Sequence, residues 1–592
     1  MTYTAPLREI RFLLDNVVDF ASLKPRFPEC DDATRDQIFD AASTFAGDVL
    51  APLNKVGDRI GATFENGKVR SAPGFADAYK KFVAGGWGTF SADPAYGGQG
   101  LPRAVELIVF ELMHSANMAF GLCPMLTRGA IEALSAHGTD AQKRRFLPRL
   151  ITGEWSGTMN LTEAQAGSDL GALRTRAEPD GNSGYRITGQ KIFITWGDHD
   201  MSENIAHLVL ARLPGAPEGS RGISLFLAPR RLVGDDGTLG EMNTLRPLSI
   251  EEKLGIHGSP TCVMAYEGAH AELIGEANQG LAQMFTMMNA ARLQVGTEGV
   301  AIAERAYQQA LGYALERRQG RSAWTGENAA PIFDHPDVRR MLMLMKAKIT
   351  AARAICLATA IAADLSEKAD TDAARHAAKL REELLTPVAK AWSTDIGVEV
   401  ASLGIQVHGG AGYIEETGAA QHFRDARIAP IYEGTNGIQA IDLMGRKLAL
   451  DNGAAVRGML DEIWPTVATL KSSENAWLHS IGFRLEAAAG AVQSATSWMI
   501  ERRGHAQPDA LAGADAYLNL MGDLIGGHFL ARGALAASKM SATTKDDDLW
   551  LRTRIGLARL YAETVLARAP GLTAAATMGA LDLLRTTPAA LQ

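Results

Sequence analysis

Cysteine is scarce in this chain: the 592 residues include four cysteines, and no two of them form a CxxC pair. The four are Cys30, Cys123, Cys262 and Cys356. Such wide spacing argues against a disulfide framework and against a zinc site, because both need paired or clustered thiols. The sequence therefore predicts a reducing, cytoplasmic setting and no bound metal.

Long apolar runs and an excess of one charge are also missing. We find no uninterrupted run of about eighteen apolar residues and no charged-then-apolar pattern of a signal peptide, so neither a membrane span nor export is expected. Lys and Arg number 59 against 67 Asp and Glu, a net charge of −8. A nucleic-acid partner is therefore not expected, since binding a polyanion needs an excess of cations.

What the sequence does contain is ordinary for a globular protein: 46% hydrophobic and 21% charged residues. Its length favours about three or four domains. Apolar residues recur at helical spacing before residue 158, short alternating runs follow, and helical spacing returns after residue 275. We expect an α+β multidomain protein, with helical residues 1–158, a β domain at 159–275, a helical bundle at 276–450 and a further helical domain at 451–592.

The most informative local pattern is Tyr432-Glu433-Gly434-Thr435, which leads into an apolar-periodic segment. A carboxylate on a glycine-flanked turn can act as a base beside an apolar pocket, because desolvation raises its pKa. Taken alone, a loop glutamate is more often solvated or capping a helix. The surrounding motifs decide between these interpretations.

Further motifs occur in a fixed order along residues 90–450. They are Thr162–Asp169 (TEAQAGSD), Gly189–Gly197 (GQKIFITWG), Gln406–Tyr413 (QVHGGAGY), Phe423–Arg427 (FRDAR) and Pro430–Gln439 (PIYEGTNGIQ). In this order and spacing the chain resembles the acyl-CoA dehydrogenase family of flavoproteins. The resemblance implies the fold of that family: an N-terminal α-helical domain, a middle β-barrel-like domain and a C-terminal helical bundle. Residues 451–592 are extra.

The resemblance also implies FAD, bound between the β domain and the helical bundle and completed by a neighbouring subunit. Thr162 and Thr195 match hydroxyls that bond the isoalloxazine, and Phe193 matches an aromatic residue packed on the ring. Without these motifs, Thr195 would be a solvent-facing strand residue and Phe193 a core residue. The other implied FAD contacts are Met159, Leu161, Gly167, Ser168, Arg317, Gln406, Gly409, Gly410 and Thr435.

For the substrate, the resemblance implies contacts from Ser168, Asn289, Arg292, Tyr432 and Gly434. Some family members carry the catalytic glutamate directly before the arginine of the first bundle helix, where this chain has Ala291. Most members use the later loop, where this chain has Glu433. Glu433 is therefore the predicted base, taking the α-proton of the thioester while the β-hydrogen leaves as hydride for flavin N5.

The predicted reaction converts an acyl-CoA into the trans-2-enoyl-CoA, with an electron-transferring flavoprotein as acceptor and a homodimer or homotetramer as the assembly. The length and the opening segment resemble a long subgroup that includes 3-methylmercaptopropionyl-CoA dehydrogenases of dimethylsulfoniopropionate demethylation. This favours 3-methylthiopropanoyl-CoA as substrate.

Three alternatives stay open. Two are enzymes, a short- or medium-chain fatty acyl-CoA dehydrogenase of β-oxidation and an acyl-CoA oxidase. The third is a DNA-binding alkylation-response relative with a basic C-terminal region. The tail disfavours that reading, because residues 451–592 contain 13 Lys and Arg against 14 Asp and Glu.

Overall fold

The computed structural model describes residues 3–181 and 184–592 and divides the chain into two compact units. We call Asp32–Gln294 the N-terminal unit; Pro6–Asp31 and Val295–Gln592 together form the helical unit. The helices are α1 (Leu7–Asn16), α2 (Asp32–Phe45), α3 (Ala51–Ile60), α4 (Phe75–Ala84), α5 (Arg103–Ala116), α6 (Met118–His137), α7 (Asp140–Thr152), α8 (Gly280–Glu316), α9 (Pro336–Lys368), α10 (Asp372–His408), α11 (Ala419–Ala426), α12 (Asn436–Gly445), α13 (Ala454–Lys471), α14 (Ala476–His505), α15 (Gln507–Ala512), α16 (Ala514–Lys539), α17 (Lys545–Thr564), α18 (Ala569–Ala576), α19 (Leu581–Arg585) and α20 (Pro588–Leu591).

The strands all lie in the N-terminal unit. They are β1 (Thr63–Glu65), β2 (Lys68–Arg70), β3 (Trp155–Asn160), β4 (Arg176–Pro179), β5 (Tyr185–Thr195), β6 (Asn204–Arg212), β7 (Ile223–Pro229), β8 (Arg231–Val233), β9 (Leu239–Met242), β10 (Leu245–Ile250) and β11 (Thr261–Ile274).

The N-terminal unit begins with helices whose ends follow local sequence signals. At the start of α7, Thr139 Oγ1 accepts the Gln142 backbone N–H at 3.2 Å, and Gln142 Oε1 accepts the Thr139 N–H at 2.9 Å. This reciprocal capping box satisfies two backbone donors that a helix start leaves unpaired. Gly153, with φ of +83°, ends the same helix.

The second half of this unit is a seven-stranded sheet that closes on itself. The ring runs β11–β5–β4–β6–β7 and returns to β11, while β10 pairs with β11 and β3 lies parallel to β6. Inward side chains such as Ile187, Val209, Phe226 and Tyr266 fill its core. Closure leaves the ring without a free edge, and this barrel-like middle domain agrees with the predicted fold.

The helical unit is built around three long helices, α8 to α10, on which the C-terminal helices pack. Trp392 on α10 donates from Nε1 to Asp523 Oδ1 on α16 at 3.1 Å. Gly522 on α16 allows this close approach, since a Cβ there would lie 2.3 Å from the Trp392 ring. Residues of the extra domain therefore share one core with the bundle.

Helix α9 is long and apolar enough to cross a membrane by length and composition, which the sequence analysis did not anticipate. Of its most apolar window, 83% is buried inside the protein. Burial of this kind is what a central helix of a bundle requires, because such a helix is apolar all round. Packing within the helical unit thus accounts for the composition of α9.

A buried charge network joins four elements of the helical unit. Glu9 on α1 pairs with Arg353 and Lys346 on α9 and, at 2.8 Å, with Arg554 on α17. Burial opposes ionisation, yet these cations hold the pKa of Glu9 below its usual range. Glu304 on α8 pairs with Arg353 at 2.9 Å. Helix α1 therefore belongs to the helical unit, although the sequence analysis grouped it with residues 1–158.

Candidate active site

The loop between α11 and α12 carries Glu433 in an unusual backbone conformation. Glu433 has φ of +56° and Gly434 has φ of +84°, so two successive residues are left-handed. Glycine adopts this region freely, whereas a residue with a Cβ does so at a cost and persists only when its surroundings hold it. The Glu433 side chain is partly exposed.

The side chain of Asn436 anchors this loop to α10. Its amide nitrogen donates to Asp395 Oδ1 at 2.8 Å and to the Ala391 carbonyl at 3.1 Å, and its oxygen accepts from Lys390 Nζ at 2.8 Å. Burial raises the pKa of Asp395 to about 6. These bonds hold the start of α12 against α10.

Two further hydrogen bonds complete the loop. Thr435 caps α12, because its Oγ1 accepts the backbone N–H of Ile438 at 3.2 Å. Gln439 Nε2 donates to the Gly434 carbonyl at 3.2 Å. The predicted residues Tyr432, Glu433, Gly434 and Thr435 thus form one anchored turn.

A second carboxyl group, which the sequence analysis did not identify, lies beside this turn. The Tyr432 hydroxyl donates to Glu298 Oε2 on α8, and Glu298 is fully buried. Burial, together with the charge of Glu433, raises the pKa of Glu298 to about 8. A local signal existed, since Glu298 is the single charged residue between Leu293 and Ala303. A lone carboxyl in an apolar helix is a candidate functional group.

The predicted residues Arg317, Gln406, Gly409 and Gly410 form a separate group in the helical unit. Tyr313, one turn before Arg317 on α8, stacks on His408 of α10 with ring centroids 4.5 Å apart. This contact brings the ends of both helices together. Glu298 and Tyr313 are separated by roughly 20 Å along α8, so this group lies well away from Glu433. All four predicted residues are exposed.

In the N-terminal unit, the segment Met159–Thr162 runs beside the end of β5. The Ile192 N–H donates to the Thr162 carbonyl at 2.9 Å, and Thr158 Oγ1 donates to the Thr195 carbonyl at 2.8 Å. Phe193 lies between these contacts; its side chain is 58% exposed and its φ is +59°. The structure thus brings Met159, Leu161, Thr162, Phe193 and Thr195 together.

The loop that follows is organised by a buried ion pair. Lys191 Nζ donates to Glu163 Oε1 at 2.8 Å and to the Leu161 carbonyl at 2.9 Å. Burial lowers the pKa of Lys191 to about 8; for Glu163, burial is outweighed by Lys191, and its pKa falls to about 2. Gly167 and Ser168 are exposed farther along this loop.

The two predicted substrate residues on α8 contact each other. Arg292 Nη1 donates to Asn289 Oδ1 at 3.2 Å, and its guanidinium lies 5.7 Å from the ring centroid of Phe285. Arg292 is buried, whereas Asn289 is partly exposed. The contact orients the arginine through a neighbour on its own helix.

Comparison with known families assigns the whole architecture. Four domain families match in succession: the acyl-CoA dehydrogenase N-terminal domain at residues 32–154, the middle domain at 158–269, the C-terminal domain at 278–448, and the acetyl-CoA dehydrogenase C-terminal-like domain at 459–587. The chain belongs to the acyl-CoA dehydrogenase family.

Individual relatives extend this assignment over the full length. The chain is 47% identical over 571 residues to 3-methylmercaptopropionyl-CoA dehydrogenase of Ruegeria pomeroyi, covering 96% of both proteins. It is 33% identical over 591 residues to the broad-specificity linear acyl-CoA dehydrogenase FadE5 of Mycobacterium tuberculosis, covering 95% of both.

Among solved structures, an acyl-CoA dehydrogenase of Bacillus anthracis in complex with FAD matches with a TM-score of 0.74. At 19% identity, the match covers 98% of this chain and 92% of that one. The predicted family and fold are therefore confirmed, and so is the prediction of an enzyme, an acyl-CoA dehydrogenase acting on a CH–CH bond. The roles assigned to individual residues stay predictions.

Proposed function

We propose that this enzyme dehydrogenates a short acyl-CoA thioester, 3-methylthiopropanoyl-CoA, with Glu433 as the base. The observation that carries the proposal is the left-handed turn at Glu433, which the Asn436 side chain anchors to α10. Ala291 fills the alternative position and cannot accept a proton. The substrate is supported by near-full-length similarity to the Ruegeria pomeroyi enzyme.

FAD is the cofactor, and residues of this chain fit it. Phe193 presents an exposed aromatic face between two threonines, as a planar ring system with polar edges requires. A Cβ at Gly409 or Gly410 would meet no atom within 4 Å, so the backbone there is open to a ligand. When bound, FAD supplies the acceptor for the β-hydride. Thr162, Thr195, Arg317 and Gln406 are the polar groups proposed to hold it.

Proton removal is the part of the reaction assigned to the protein. The α-proton of a thioester is a weak acid, so the base must be ionised and fixed in position before the substrate arrives. The Asn436 contacts and the Thr435 cap fix the backbone on the C-terminal side of Glu433, and Tyr432 fixes the other side. The turn is therefore preorganised for proton transfer.

Replacing Glu433 tests the proposed base. In Glu433→Gln, we expect FAD binding and the flavin spectrum to be retained, and anaerobic flavin bleaching by acyl-CoA to fall at least about a thousandfold, because an amide cannot take the proton. Glu316→Gln, at the exposed end of α8, serves as a control for charge removal. Wild-type bleaching rates in Glu433→Gln would reject Glu433 as the base.

A panel of thioesters tests the substrate. We expect kcat/KM for 3-methylthiopropanoyl-CoA to exceed that for butanoyl-CoA and octanoyl-CoA with a dye acceptor. A preference for octanoyl-CoA would instead favour a linear fatty acyl-CoA substrate, the class named for the Mycobacterium tuberculosis relative. Peroxide formation in air at the rate of dye reduction would identify an oxidase.

The remaining proposals concern partners and location. We propose an electron-transferring flavoprotein as the physiological acceptor, a homodimer or homotetramer as the assembly, and the cytoplasm as the location. Support for the acceptor is structural likeness over 70% of this chain, at 26% identity and a TM-score of 0.56, to a structure described as an electron-transferring flavoprotein of Acidaminococcus fermentans. Reduction of an added electron-transferring flavoprotein by enzyme and substrate would test the acceptor directly.

A further inference from the structure

Glu298 occupies a position that its burial alone does not explain. Its side chain is 0% exposed, and Oε2 accepts the hydroxyl of Tyr432. Among the residues that the structure describes, Oε1 has no hydrogen-bond partner. A buried carboxyl with an unsatisfied oxygen costs stability, so its presence in an apolar stretch of α8 calls for a reason.

The groups around Glu298 come from two other elements of the helical unit. Tyr432 and Glu433 belong to the loop between α11 and α12, and Lys390 belongs to α10. Burial and the charge of Glu433 raise the pKa of Glu298 to about 8, while Tyr432 and Lys390 oppose the rise. Below that pH the Glu298 carboxyl is neutral, so it places no negative charge beside Glu433.

Tyr432 links this carboxyl to the base. It directly precedes Glu433, and Glu433 has the left-handed backbone that its neighbours must maintain. A hydrogen bond from the Tyr432 phenol to a carboxyl on the long helix α8 removes the freedom of the turn on its N-terminal side. Asn436 does the same on the C-terminal side.

We propose that Glu298 is a positioning residue for the dehydrogenation: it holds Tyr432 and, through the backbone, sets the place of Glu433. This inference rests on the proposed role of Glu433. Glu298 does not itself take the substrate proton.

A double-mutant cycle tests the link through Tyr432. In the FAD-loaded enzyme, Glu298→Leu and Tyr432→Phe should each lower kcat about tenfold to a hundredfold with little change in KM, since small displacements of a reacting group are costly. The double variant should be no slower than the slower single variant. Additive losses, or wild-type kcat in Glu298→Leu, would overturn the proposal.

Glu298→Gln separates charge from packing. Its amide oxygen still accepts the Tyr432 hydroxyl, so we expect kcat within about threefold of wild type, as in the Glu316→Gln control. The wild-type kcat/KM profile should show an ionisation near pH 8 that Glu298→Gln lacks. An unchanged profile in Glu298→Gln would contradict the proposal.

Infrared difference spectroscopy provides a readout that does not depend on turnover. A protonated carboxyl band should titrate near pH 8 in wild type and be missing in Glu298→Gln. Thermal unfolding and FAD content identify variants that fail to fold. If Glu298→Leu fails to fold, the pH profile and the kcat of Glu298→Gln test the proposal instead. Lost bleaching in Glu298→Gln combined with normal bleaching in Glu433→Gln would make Glu298 the base and refute both assignments. Normal bleaching in both variants would refute the role of Glu433 and, with it, the positioning role of Glu298, whereas additive losses in the double-mutant cycle with an inactive Glu433→Gln would refute the role of Glu298 alone.

Discussion

At the scale of single residues, the turn formed by Tyr432 to Thr435 depends on backbone conformations that most residues avoid. Left-handed geometry costs about 1–2 kcal/mol for a residue with a Cβ. Glu433 adopts it at φ of +56°, and Gly434 follows at +84°. The glycine limits this cost to one residue of the pair. The remaining strain is balanced by the hydrogen bonds of Tyr432, Asn436 and Gln439.

Replacing Gly434 tests the importance of this backbone conformation. Gly434→Ala should lower the free energy of unfolding by about 1–2 kcal/mol and lower kcat, because a Cβ is disfavoured at φ of +84° and the turn must shift. Urea unfolding and steady-state rates measure the two effects.

Gly437→Ala is the matched control for that substitution. Gly437 lies in the first turn of α12, where the nearest atom to a new Cβ is Thr435 Oγ1 at an ordinary 3.8 Å. Alanine there should be neutral or stabilising, since it is the better helix former. Equal losses in the two variants would contradict the role of backbone strain.

Much of this turn could be predicted from the sequence, whereas its contact with Glu298 could not. Tyr432 to Thr435 form a local motif, so their proximity follows from the chain itself. Glu298 lies 134 residues from Tyr432. Only the packing of α8 against the loop brings the two together, and no pattern in the sequence encodes that packing.

At the scale of elements, strand β5 supports the loop of residues predicted to bind FAD through one buried side chain, that of Lys191. Lys191 is 0% exposed and neutralises Glu163, which also accepts the backbone N–H groups of Arg174 and Thr175, at 2.7 and 3.0 Å. One ion pair therefore fixes both ends of the loop that contains Thr162 and Ser168.

Replacing Lys191 should show this dependence. Lys191→Met leaves the carboxylate of Glu163 buried without its cation, which typically costs about 3–5 kcal/mol. We expect a lower unfolding free energy and weaker FAD retention, measured by denaturant titration and by flavin release during gel filtration. Lys68→Met, on an exposed position of β2, should change stability by less than about 0.5 kcal/mol. Equal stability of the two variants would reject the structural role of the pair.

The helices and the strand β5 differ in how well the sequence predicted them. Helical periodicity predicts the helical bundle at 276–450, because α9 and α10 within it each keep one spacing for more than thirty residues. In contrast, the single strand β5 contains two separate apolar runs in the sequence, Tyr185–Thr188 and Ile192–Thr195. Its register against β11 shifts twice, between Cys262 and Met264 and between Glu267 and Ala269. Each irregularity interrupts the period-two pattern that marks a strand.

At the scale of the whole molecule, the residues after 450 are part of the enzyme core. Asp451 and Asn452, both left-handed, turn the chain before α13. Helix α16 then packs on α9, α10 and α12, and Asp523 accepts the hydrogen bond of Trp392. Removing these helices would expose the apolar faces of α9 and α10 to water.

Two truncations test this. A chain ending at residue 450 should accumulate as aggregate, because it loses the cover of α9 and α10 and the Arg554 partner of Glu9. A chain ending at Ala580 removes only α19, α20 and their flanking residues, all exposed, and should fold and bind FAD. Soluble yield and flavin absorbance distinguish the outcomes. A folded, active chain ending at residue 450 would refute the integral role of the tail.

The salt bridge between Glu9 and Arg554 spans 545 positions of the sequence. During synthesis, α1 leaves the ribosome long before α17, so the carboxylate of Glu9 must wait for the cation of Arg554. At about 5–20 residues per second, that wait lasts on the order of half a minute to two minutes. The helical unit therefore stays incomplete throughout that interval, whereas the N-terminal unit, complete by Gln294, is free to fold far earlier.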